Sequence, residues 1–340
     1  MLKNIAWRLL GAIPVLLLVM FGVFVLVNLA PGDAATLLLP EDATPEQVAS
    51  FRAAWGLDQP LLVQFWRFLV RIVHLDLGTS LRYQDSVGHL IAMRLPATLE
   101  LALVSLALAV AVGVPVGTYA ALKKGKLGDG VVSIFAVAGV SAPSFWTGIL
   151  LVLLFSATLN LLPSGSRLPF GVSVTPTTGF YLVDTLIHGD FDSFRIAVRH
   201  IVLPAVTLAF SMVGIIARIT RSAIVDVGQE EFVYTAVAKG LSRGQIVRRH
   251  LLPNAAIPIS TIVGLELGSL ISGTIIVEVI FSWPGVGTLL YQSVTVRDTQ
   301  LTIGVVLVYT SMFIVLNVLI DLFYYLVDPR MRSSYAKARA

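Results

Sequence analysis

Six long apolar stretches, separated by clusters of charged residues, dominate the pattern of this chain. Each carries few or no charges in its middle and has the length, about 20 residues or more, that a helix needs to cross the ~30 Å apolar core of a bilayer. The pattern therefore predicts six transmembrane helices, over Leu9–Ala30, Ala97–Leu122, Val131–Leu162, Ile201–Ile224, Ile257–Phe281 and Leu301–Val327.

Composition leads to the same class of protein. Of the 340 residues, 56% are hydrophobic and 13% are charged, whereas about 25% are charged in an average soluble domain. The mean hydropathy is +0.86, and one core of this length cannot bury that much apolar surface, so lipid must solvate much of it. We predict an all-α integral membrane protein. Cysteine is absent, which excludes disulfides and thiolate chemistry.

The distribution of Lys and Arg predicts the orientation. If the N-terminus is cytoplasmic, 15 of the 24 Lys and Arg residues lie on the cytoplasmic side, as the positive-inside rule favours. The net charge of +4 fits this distribution better than it fits nucleic-acid binding. The first span is too long for a cleavable signal core of about 7–15 residues, so we expect it to stay as an anchor. Both termini are therefore predicted to be cytoplasmic.

The spans divide the chain into an N-terminal tip with the first helix (1–30), an external segment (31–96), a five-helix core (97–327) and a cytoplasmic tail (328–340). The external segment is predicted to form a helical cap. Thr44-Pro45-Glu46-Gln47 is a capping-box pattern with proline at the first helical position, and Gly56 stands where that helix would stop. A second helix is expected to begin near Pro60.

The sequence lacks the common catalytic motifs. Gly125-Lys126 is followed by Leu127 and lacks the upstream glycine of a Gly-x4-Gly-Lys-Ser/Thr phosphate-binding loop. The five histidines show neither an HExxH pair nor a close carboxylate at metal-ligand spacing. Gly78-Thr79-Ser80 does not complete the Gly-x-Ser-x-Gly motif of a hydrolase. We predict no catalytic, cofactor or metal site, and no enzymatic activity of this chain itself.

The loop at about residues 221–256, between the fourth and fifth spans, has the pattern of ordered structure. Residues at steps of three and four predict a helix from Arg221 to Gly240, where the glycine ends it. Ser242 can cap a shorter basic helix, which Leu252-Pro253 is expected to close. Such a unit would form a rigid projection; the alternative is a solvated loop that only satisfies the positive-inside rule.

The same loop carries a sequence signature. Ala236, Gly240 and Leu252-Pro253 occupy the second Ala, the Gly and the Leu-Pro of the pattern Glu-Ala-Ala-x3-Gly-x9-Ile-x-Leu-Pro. The residues around them follow Tyr-Val-Arg-Thr-Ala-Arg-Ala-Lys-Gly-Leu, with Phe232 in place of the tyrosine and Tyr234 and Val237 in place of the two arginines. Further matches occur in order at Pro31-Gly32-Asp33, Gly56-Leu57-Asp58-Gln59-Pro60, Asp76-Leu77-Gly78-Thr79-Ser80, Arg94-Leu95-Pro96-Ala97-Thr98, Thr178–Thr185, Glu278–Gly287, Arg297-Asp298 and Asp328-Pro329-Arg330.

On these residues the chain resembles the membrane permease subunits of ATP-binding-cassette importers, and within them the dipeptide/oligopeptide permeases. The resemblance implies a translocation subunit in the bacterial inner membrane, working with a second homologous permease, two cytoplasmic ATPases and an external solute-binding protein. It implies that ATP and Mg are bound by the ATPase subunits and that no cofactor is bound by this chain. An importer of nickel, glutathione or oligosaccharide built on the same plan is the open alternative.

The resemblance also makes residues 221–256 the coupling loop, which contacts an ATPase subunit. The coupling residues that it implies are Glu231, Tyr234, Thr235, Ala236, Lys239, Gly240, Arg243, His250, Leu252 and Pro253.

Glu266 is the ionisable residue expected to face the translocation pathway. It lies nine residues after Ile257, or about 14 Å at 1.5 Å per residue, which is close to the membrane midplane. A carboxylate that faces lipid at that depth costs on the order of 2.5–3.5 kcal/mol, so Glu266 should face a helix interface or a wet cavity. Glu278 is the second pathway candidate. An ion-coupled secondary transporter, the remote alternative, would need paired acidic residues at mid-membrane or two inverted halves.

Overall fold

The computed structural model of the chain describes residues 2–29, 39–40, 42–74 and 76–327. The Pro31-Gly32-Asp33 and Asp328-Pro329-Arg330 motifs and the predicted tail lie outside the described residues. Within the described parts all regular structure is helical, apart from one isolated antiparallel bridge between Thr79 and Ser86. The prediction of an all-α protein is confirmed.

In chain order the described α-helices are α1 (Leu2–Leu29), α2 (Pro45–Trp55), α3 (Leu61–Val73), α4 (Val87–Leu122), α5 (Leu127–Ser141), α6 (Ser144–Leu151), α7 (Tyr181–Ile187), α8 (Phe191–Val227), α9 (Glu231–Ala238), α10 (Arg243–Ile246), α11 (Leu252–Ile280), α12 (Val286–Thr295) and α13 (Thr299–Val327). Two π-helical segments accompany them. Val152–Thr158 continues α6, and Val247–Leu251 connects α10 to α11.

Among the described residues, five stretches are long and apolar enough to cross a membrane, namely Gly11–Leu29, Val87–Leu122, Phe191–Val227, Arg243–Leu270 and Thr299–Ile320. A sixth crossing is present only if α5 and the helix after it count as one span, because they are bent by 106°. The prediction of a continuous span over Val131–Leu162 is therefore wrong. Ala142 has extended backbone with ψ 123°, because Pro143 disfavours a helical residue before it and cannot donate to the helix.

The two short helices after the first span have the ends that the sequence pattern indicates. Thr44 Oγ1 accepts a hydrogen bond from the Gln47 amide (3.3 Å), and Gln47 Oε1 accepts one from the Thr44 amide (2.8 Å). These reciprocal bonds form the capping box at the start of α2. Gly56 follows α2 with φ +66°, a left-handed conformation that suits glycine. The next helix, α3, begins directly after Pro60.

Helices α4 and α8 are longer than a bilayer crossing requires. α4 begins at Val87 rather than at the predicted Ala97, and it contains Pro96 and Pro115 within the helix. It has 36 residues and α8 has 37, which corresponds to about 54 Å at 1.5 Å per residue. Both helices therefore extend past the ~30 Å apolar core of a bilayer.

Helices α4, α8 and α11 supply most of the main buried core, and small residues let α4 and α5 approach α8 closely. A Cβ on Gly117 of α4 would clash with the Ala217 carbonyl of α8, and Gly113, one turn earlier, also packs directly on α8. A Cβ on Gly214 of α8 would lie 2.5 Å from the Ala136 carbonyl of α5. Small residues at both contacts are the usual means by which membrane helices pack at short distance.

The segment between α3 and α4 is fixed to the start of α13 by polar contacts. Asp298 is fully buried and accepts a hydrogen bond from Ser80 Oγ (2.6 Å). Gln300 Oε1 accepts a hydrogen bond from the Thr79 amide (3.1 Å). Gly78 has φ +84°, and a Cβ at this position would clash with Gln300. These contacts explain why polar residues and a glycine stand together in the Asp76–Ser80 motif.

Candidate functional site

The loop at residues 221–256, predicted to be the coupling loop, contains α9 and α10, which follow the end of α8. The predicted single helix over 221–240 is wrong, since α8 ends at Val227 and α9 starts at Glu231. Gly228 continues a helix poorly, and Glu230 has extended backbone with φ −74° and ψ 146°. The break makes α9 a separate helix.

Gly240 ends α9 in a Schellman turn. Its φ of +78° is left-handed. The Leu241 amide donates to the Ala236 carbonyl (3.3 Å), and the Gly240 amide donates to the Val237 carbonyl (2.9 Å). Space around Gly240 is open, so the cost of another residue there is conformational, about 1 kcal/mol locally.

The second helix of the loop begins at the predicted cap but does not end where expected. Ser242 Oγ accepts a hydrogen bond from the Gln245 amide (3.4 Å), and Gln245 Oε1 accepts one from the Ser242 amide (2.9 Å). The prediction that Leu252-Pro253 closes this helix is wrong, because α10, the π-helical turn and α11 follow one another without a break. Pro253 has no amide hydrogen, and the nearby His250 carbonyl accepts a hydrogen bond from Asn254 Nδ2 (2.6 Å).

Helix α9 has one packed face and one exposed face. Val233 and Ala236 are buried in an apolar cluster to which α4, α8, α10 and α11 also contribute. The other side exposes Tyr234 and Val237, with 65% and 58% of their surface accessible, and Phe232 at the edge of the packed face is 40% accessible. Apolar side chains exposed together on a helix outside the membrane spans indicate a contact surface for another protein.

Most of the ten predicted coupling residues lie on the surface. The exposed ones are Glu231, Tyr234, Thr235, Lys239, Gly240, Arg243 and Pro253. His250 and Leu252 are partly buried, and the His250 ring centre lies 6.3 Å from that of Phe232. Ala236 is buried, so its side chain packs α9 against the neighbouring helices. The contact of these residues with an ATPase stays a prediction.

Glu266 lies at the middle of α11, 14 residues from each end. It is 9% exposed, and its carboxylate accepts a hydrogen bond from Ser269 Oγ (3.3 Å). Close by, a Cβ on Gly268 would lie 3.7 Å from the Phe313 ring of α13. The carboxylate is therefore enclosed by protein at this depth, and its role in the pathway stays a prediction.

Glu278 lies in a closed hydrogen-bond network near the end of α11. It is completely buried, and its carboxylate accepts hydrogen bonds from Thr98 Oγ1 (2.6 Å) and the Thr288 amide (2.9 Å). The same Thr98 oxygen accepts a hydrogen bond from the Val286 amide (2.8 Å). A Cβ on Gly285 would clash with the carboxylate. Glu278 thus joins α11, α4 and the start of α12, and its role in the pathway stays a prediction.

The segment between α11 and α12 closes around this carboxylate. Trp283 is buried, and its Nε1 donates to the Ala97 carbonyl of α4 (2.9 Å). Thr288 Oγ1 donates back to the Trp283 carbonyl (2.8 Å). Each tryptophan, glycine and carboxylate position of the Glu278–Gly287 motif therefore has a structural partner, which sequence analysis alone did not reveal.

Sequence reasoning missed a buried ion pair at the same end of the molecule. Arg167 donates to Glu100 Oε2 of α4 (2.5 Å) and to the Gly179 carbonyl (2.8 Å). Its guanidinium lies 3.6 Å from the ring centre of Tyr181. The other Glu100 oxygen accepts a hydrogen bond from the Leu182 amide (2.8 Å). The pair fixes the long loop between α6 and α7 to α4.

A second ion pair that the sequence did not reveal lies at the coupling-loop end. Arg221 of α8 donates from Nε and Nη2 to the two Asp129 oxygens of α5, at 2.5 and 2.7 Å. The Gly125 amide also donates to Asp129 (3.0 Å). This two-point contact ties α5 to the helix that leads into the coupling loop.

Asp184 of α7 organises the end of the loop that Arg167 anchors. Its carboxylate accepts hydrogen bonds from the Thr178 hydroxyl (2.6 Å) and from the amides of Thr177, Thr178 and Gly179. Burial raises the pKa of this carboxyl, but the hydrogen bonds together outweigh burial and hold the pKa below its usual 3.8. Within the described part of the chain, no group of three or more His, Cys, Asp or Glu residues is placed to hold a metal ion.

Helices long and apolar enough to cross a membrane, joined by short helices such as α9, define a multi-pass membrane protein. Comparison with known families shows that it is a transport subunit. Residues 113–333 match the binding-protein-dependent transport system inner membrane component, and residues 1–102 match the N-terminal component of the same system. The chain belongs to this family, and it is a multi-pass protein of the inner membrane.

Its relatives identify the branch. The chain is 40% identical to the probable D,D-dipeptide transport system permease protein DdpB of Escherichia coli (strain K12), over 93% of this chain and 94% of the relative. It is 39% identical to the di/tripeptide transport system permease protein DppB of Pseudomonas aeruginosa, over 98% and 99%. It is 38% identical to the dipeptide transport system permease protein DppB of Escherichia coli (strain K12), over 98% and 99%. The family resemblance seen in the sequence is confirmed.

Among solved structures, the chain is similar to one in the inward-facing conformations of the MetNI methionine ABC transporter. The TM-score is 0.48 with 19% sequence identity, over 68% of this chain and 93% of that chain.

Proposed function

We propose that this chain is the membrane-spanning translocation subunit of an ATP-driven, binding-protein-dependent importer of dipeptides or oligopeptides. Identity of 38–40% with dipeptide permeases over more than nine-tenths of the chain supports the peptide substrate. In this proposal a second homologous permease completes the pathway, two cytoplasmic ATPase subunits bind ATP and Mg, and a solute-binding protein outside the membrane delivers the peptide.

The exposed face of α9 is the observation that carries the proposed ATPase contact. Tyr234 and Val237 lie one helical turn apart and are largely accessible, while Val233 and Ala236 pack α9 against the neighbouring helices. A rigid projection with an apolar tip can seat in a groove of another subunit and transmit a push. The Schellman turn at Gly240 then sets the direction in which the second helix leaves.

A displacement of α9 can be transmitted to the membrane helices through two connections. One is the continuous helix from α10 through the π-helical turn into α11, which carries Glu266 at its middle. The other is the Asp129–Arg221 pair, which connects α5 to α8 just before the coupling loop. Both connections are made of packed or ion-paired elements, so we expect a displacement of the loop to move α5, α8 and α11.

A pair of glycine variants tests the coupling role. Gly240→Val should leave the complex inserted and assembled but abolish the stimulation of ATP hydrolysis by loaded binding protein, together with uptake. The reason is that valine is strained at φ +78°. The measurement is ATPase activity and peptide uptake in proteoliposomes that contain the chain with its co-purifying subunits.

Gly244→Val is the matched control. Gly244 lies in α10 of the same loop, and nothing lies within 4 Å of a Cβ at this position. Because it lacks the left-handed φ of Gly240, valine should be tolerated there and both activities should stay near the wild-type level. Normal uptake and normal stimulation in Gly240→Val would refute the coupling role.

We also propose that both termini are cytoplasmic, which the distribution of 15 of 24 Lys and Arg residues supports. Since the chain has no cysteine, single introduced thiols report the side of the membrane without background. Arg52→Cys should react with an impermeant maleimide added outside, and Arg243→Cys only with reagent that has access to the inside. Labelling of Arg52→Cys only from the cytoplasmic side would overturn the orientation.

Glu266 is proposed to line the pathway and to interact with the amino end of the peptide or with ordered water. Glu266→Gln keeps shape and hydrogen bonding but removes the charge, so uptake of cationic or free-amino peptides should fall while assembly is unchanged. Ser269→Ala removes only the hydrogen-bond partner and should leave the peptide preference unchanged. Wild-type uptake of every peptide tested by Glu266→Gln would discard the proposal.

A further inference from the structure

Helix α3 presents three different faces. One side packs on α1 and α13 through Phe65, Phe68, Leu69 and Ile72. A second side carries the polar residues Gln64, Arg67 and Arg71. The third side is apolar and exposed, and it consists of Leu62, Trp66, Val70 and Val73. At about 100° of rotation per residue, the centres of these faces are roughly 105–140° apart.

The polar face lies against polar groups of the chain itself. Gln64 Nε2 donates to the carbonyls of Leu57 (3.3 Å) and Gln59 (2.7 Å). Arg71 Nη1 donates to Gln300 Oε1 at the start of α13 (3.4 Å). This side therefore points toward the loops at the end of the bundle, where water or headgroups can solvate it.

The packed face places α3 beside the membrane-crossing part of α1. The Phe65 ring centre lies 5.2 Å from that of Phe21 and 5.3 Å from that of Phe24. Phe24 is five residues before Leu29, the last residue of α1, which is about 7.5 Å below the helix end. α3 is thus at a depth where α1 itself is apolar and exposed, since Leu26, two residues after Phe24, is 70% accessible.

We propose that α3 lies along the boundary between headgroups and acyl chains of one leaflet, and that its third face contacts lipid. In water this face would expose four large apolar side chains, with Leu62 72% and Val73 81% accessible, which soluble surfaces rarely do in one patch. At a membrane boundary the same arrangement is favourable, because tryptophan is enriched at that level and arginines on the polar face can reach phosphates. The lipid surface of α1 then continues onto α3.

Spin labels on single cysteines test the three faces in the full chain with its co-purifying subunits. The sample is a nanodisc of phosphatidylethanolamine and phosphatidylglycerol, and the readout is collision of the label with oxygen, which concentrates in lipid, and with a water-soluble nickel chelate. Leu62→Cys and Val70→Cys should favour oxygen over nickel several-fold more than Gln64→Cys, the matched control one face away. Trp66→Cys repeats the measurement on the third face if either of the first two fails to assemble.

Two results overturn the proposal. Nickel collisions as frequent at Leu62 and Val70 as at Gln64 would make the third face a water-exposed surface, open to a soluble partner such as a binding protein. Rare collisions with both reagents at Leu62 and Val70 would mean that another protein subunit covers the face. The inference is independent of the transported solute and of the ATPase contact.

Discussion

Replacing Thr98 with valine should loosen the contact between α4 and α12 while the side chain keeps nearly the same shape. Thr98 Oγ1 donates to Glu278 and accepts from the Val286 amide, and both partners are buried. Valine leaves both without this hydrogen bond. The Val286 amide, left unsatisfied, costs about 1–3 kcal/mol, and the Glu278 carboxylate loses one hydrogen bond while it keeps the one from the Thr288 amide, at about 0.5–1.5 kcal/mol, so the two losses together cost about 2 kcal/mol or more.

Hydrogen exchange measures this opening directly. A loss of about 2 kcal/mol corresponds to roughly 30-fold faster exchange of the Val286 amide, since each 1.4 kcal/mol is about tenfold. The purified chain with its co-purifying subunits is the sample. Thr98→Ser is the matched control, because serine keeps the hydroxyl and loses one methyl group, which costs about 1 kcal/mol or roughly fivefold faster exchange.

Which of the two variants exchanges the Val286 amide faster shows whether the hydroxyl or the methyl group of Thr98 holds the contact. If hydrogen bonds hold this contact, the valine variant exchanges faster than the serine variant. The opposite order would mean that packing of the methyl group matters more than the hydroxyl, and the account of the Glu278 network given above would be wrong. Wild-type exchange in both variants would refute it as well.

Three further outcomes are expected from thermal unfolding of the same sample. Gly78→Ala should lower the melting temperature, because φ is +84° and a Cβ would displace the Gln300 amide from its hydrogen bond with the Thr79 amide; an unchanged value would contradict this. Arg167→Met should cost about 3–5 kcal/mol, since Glu100 stays buried without its cation, and adding Glu100→Gln should restore part of the loss. Asp184 has a lowered pKa, so its contribution to the free energy of unfolding is complete above pH 3.8 and is lost as the pH falls through the folded-state pKa. Asp184→Asn should remove this decrease of stability at low pH.

The membrane-crossing segments and several helix ends could be predicted from the sequence because they depend on neighbouring residues. Apolar length decides whether a helix can span, and the Thr44 and Ser242 caps need only a partner three residues later. The left-handed turn at Gly240 is equally local. Pro143 carried a signal for the 106° bend, but its apolar surroundings made one continuous span the simpler interpretation.

The contacts that close the structure could not be predicted because their partners are far apart in the chain. Arg167 and Glu100 are 67 residues apart, and Arg221 and Asp129 are 92 residues apart. Neither residue of a pair has a local pattern that marks it as buried. Glu278 is predicted only as a second pathway candidate, and the hydrogen bond from Thr98 of α4, 180 residues away, has no signal in the local sequence.

The close glycine contacts among α4, α5 and α8 have a mechanical consequence. α4 and α5 each approach the backbone of α8 closely, at Gly117 and Gly214, so we expect α4 and α8 to move together. α4 has 36 residues, and a rod of about 54 Å that pivots by 10° at one end moves its far end by about 9 Å. A small rotation applied to α8 beside residues 221–256 is therefore amplified along this length into a displacement of several ångströms at the opposite end of the two helices.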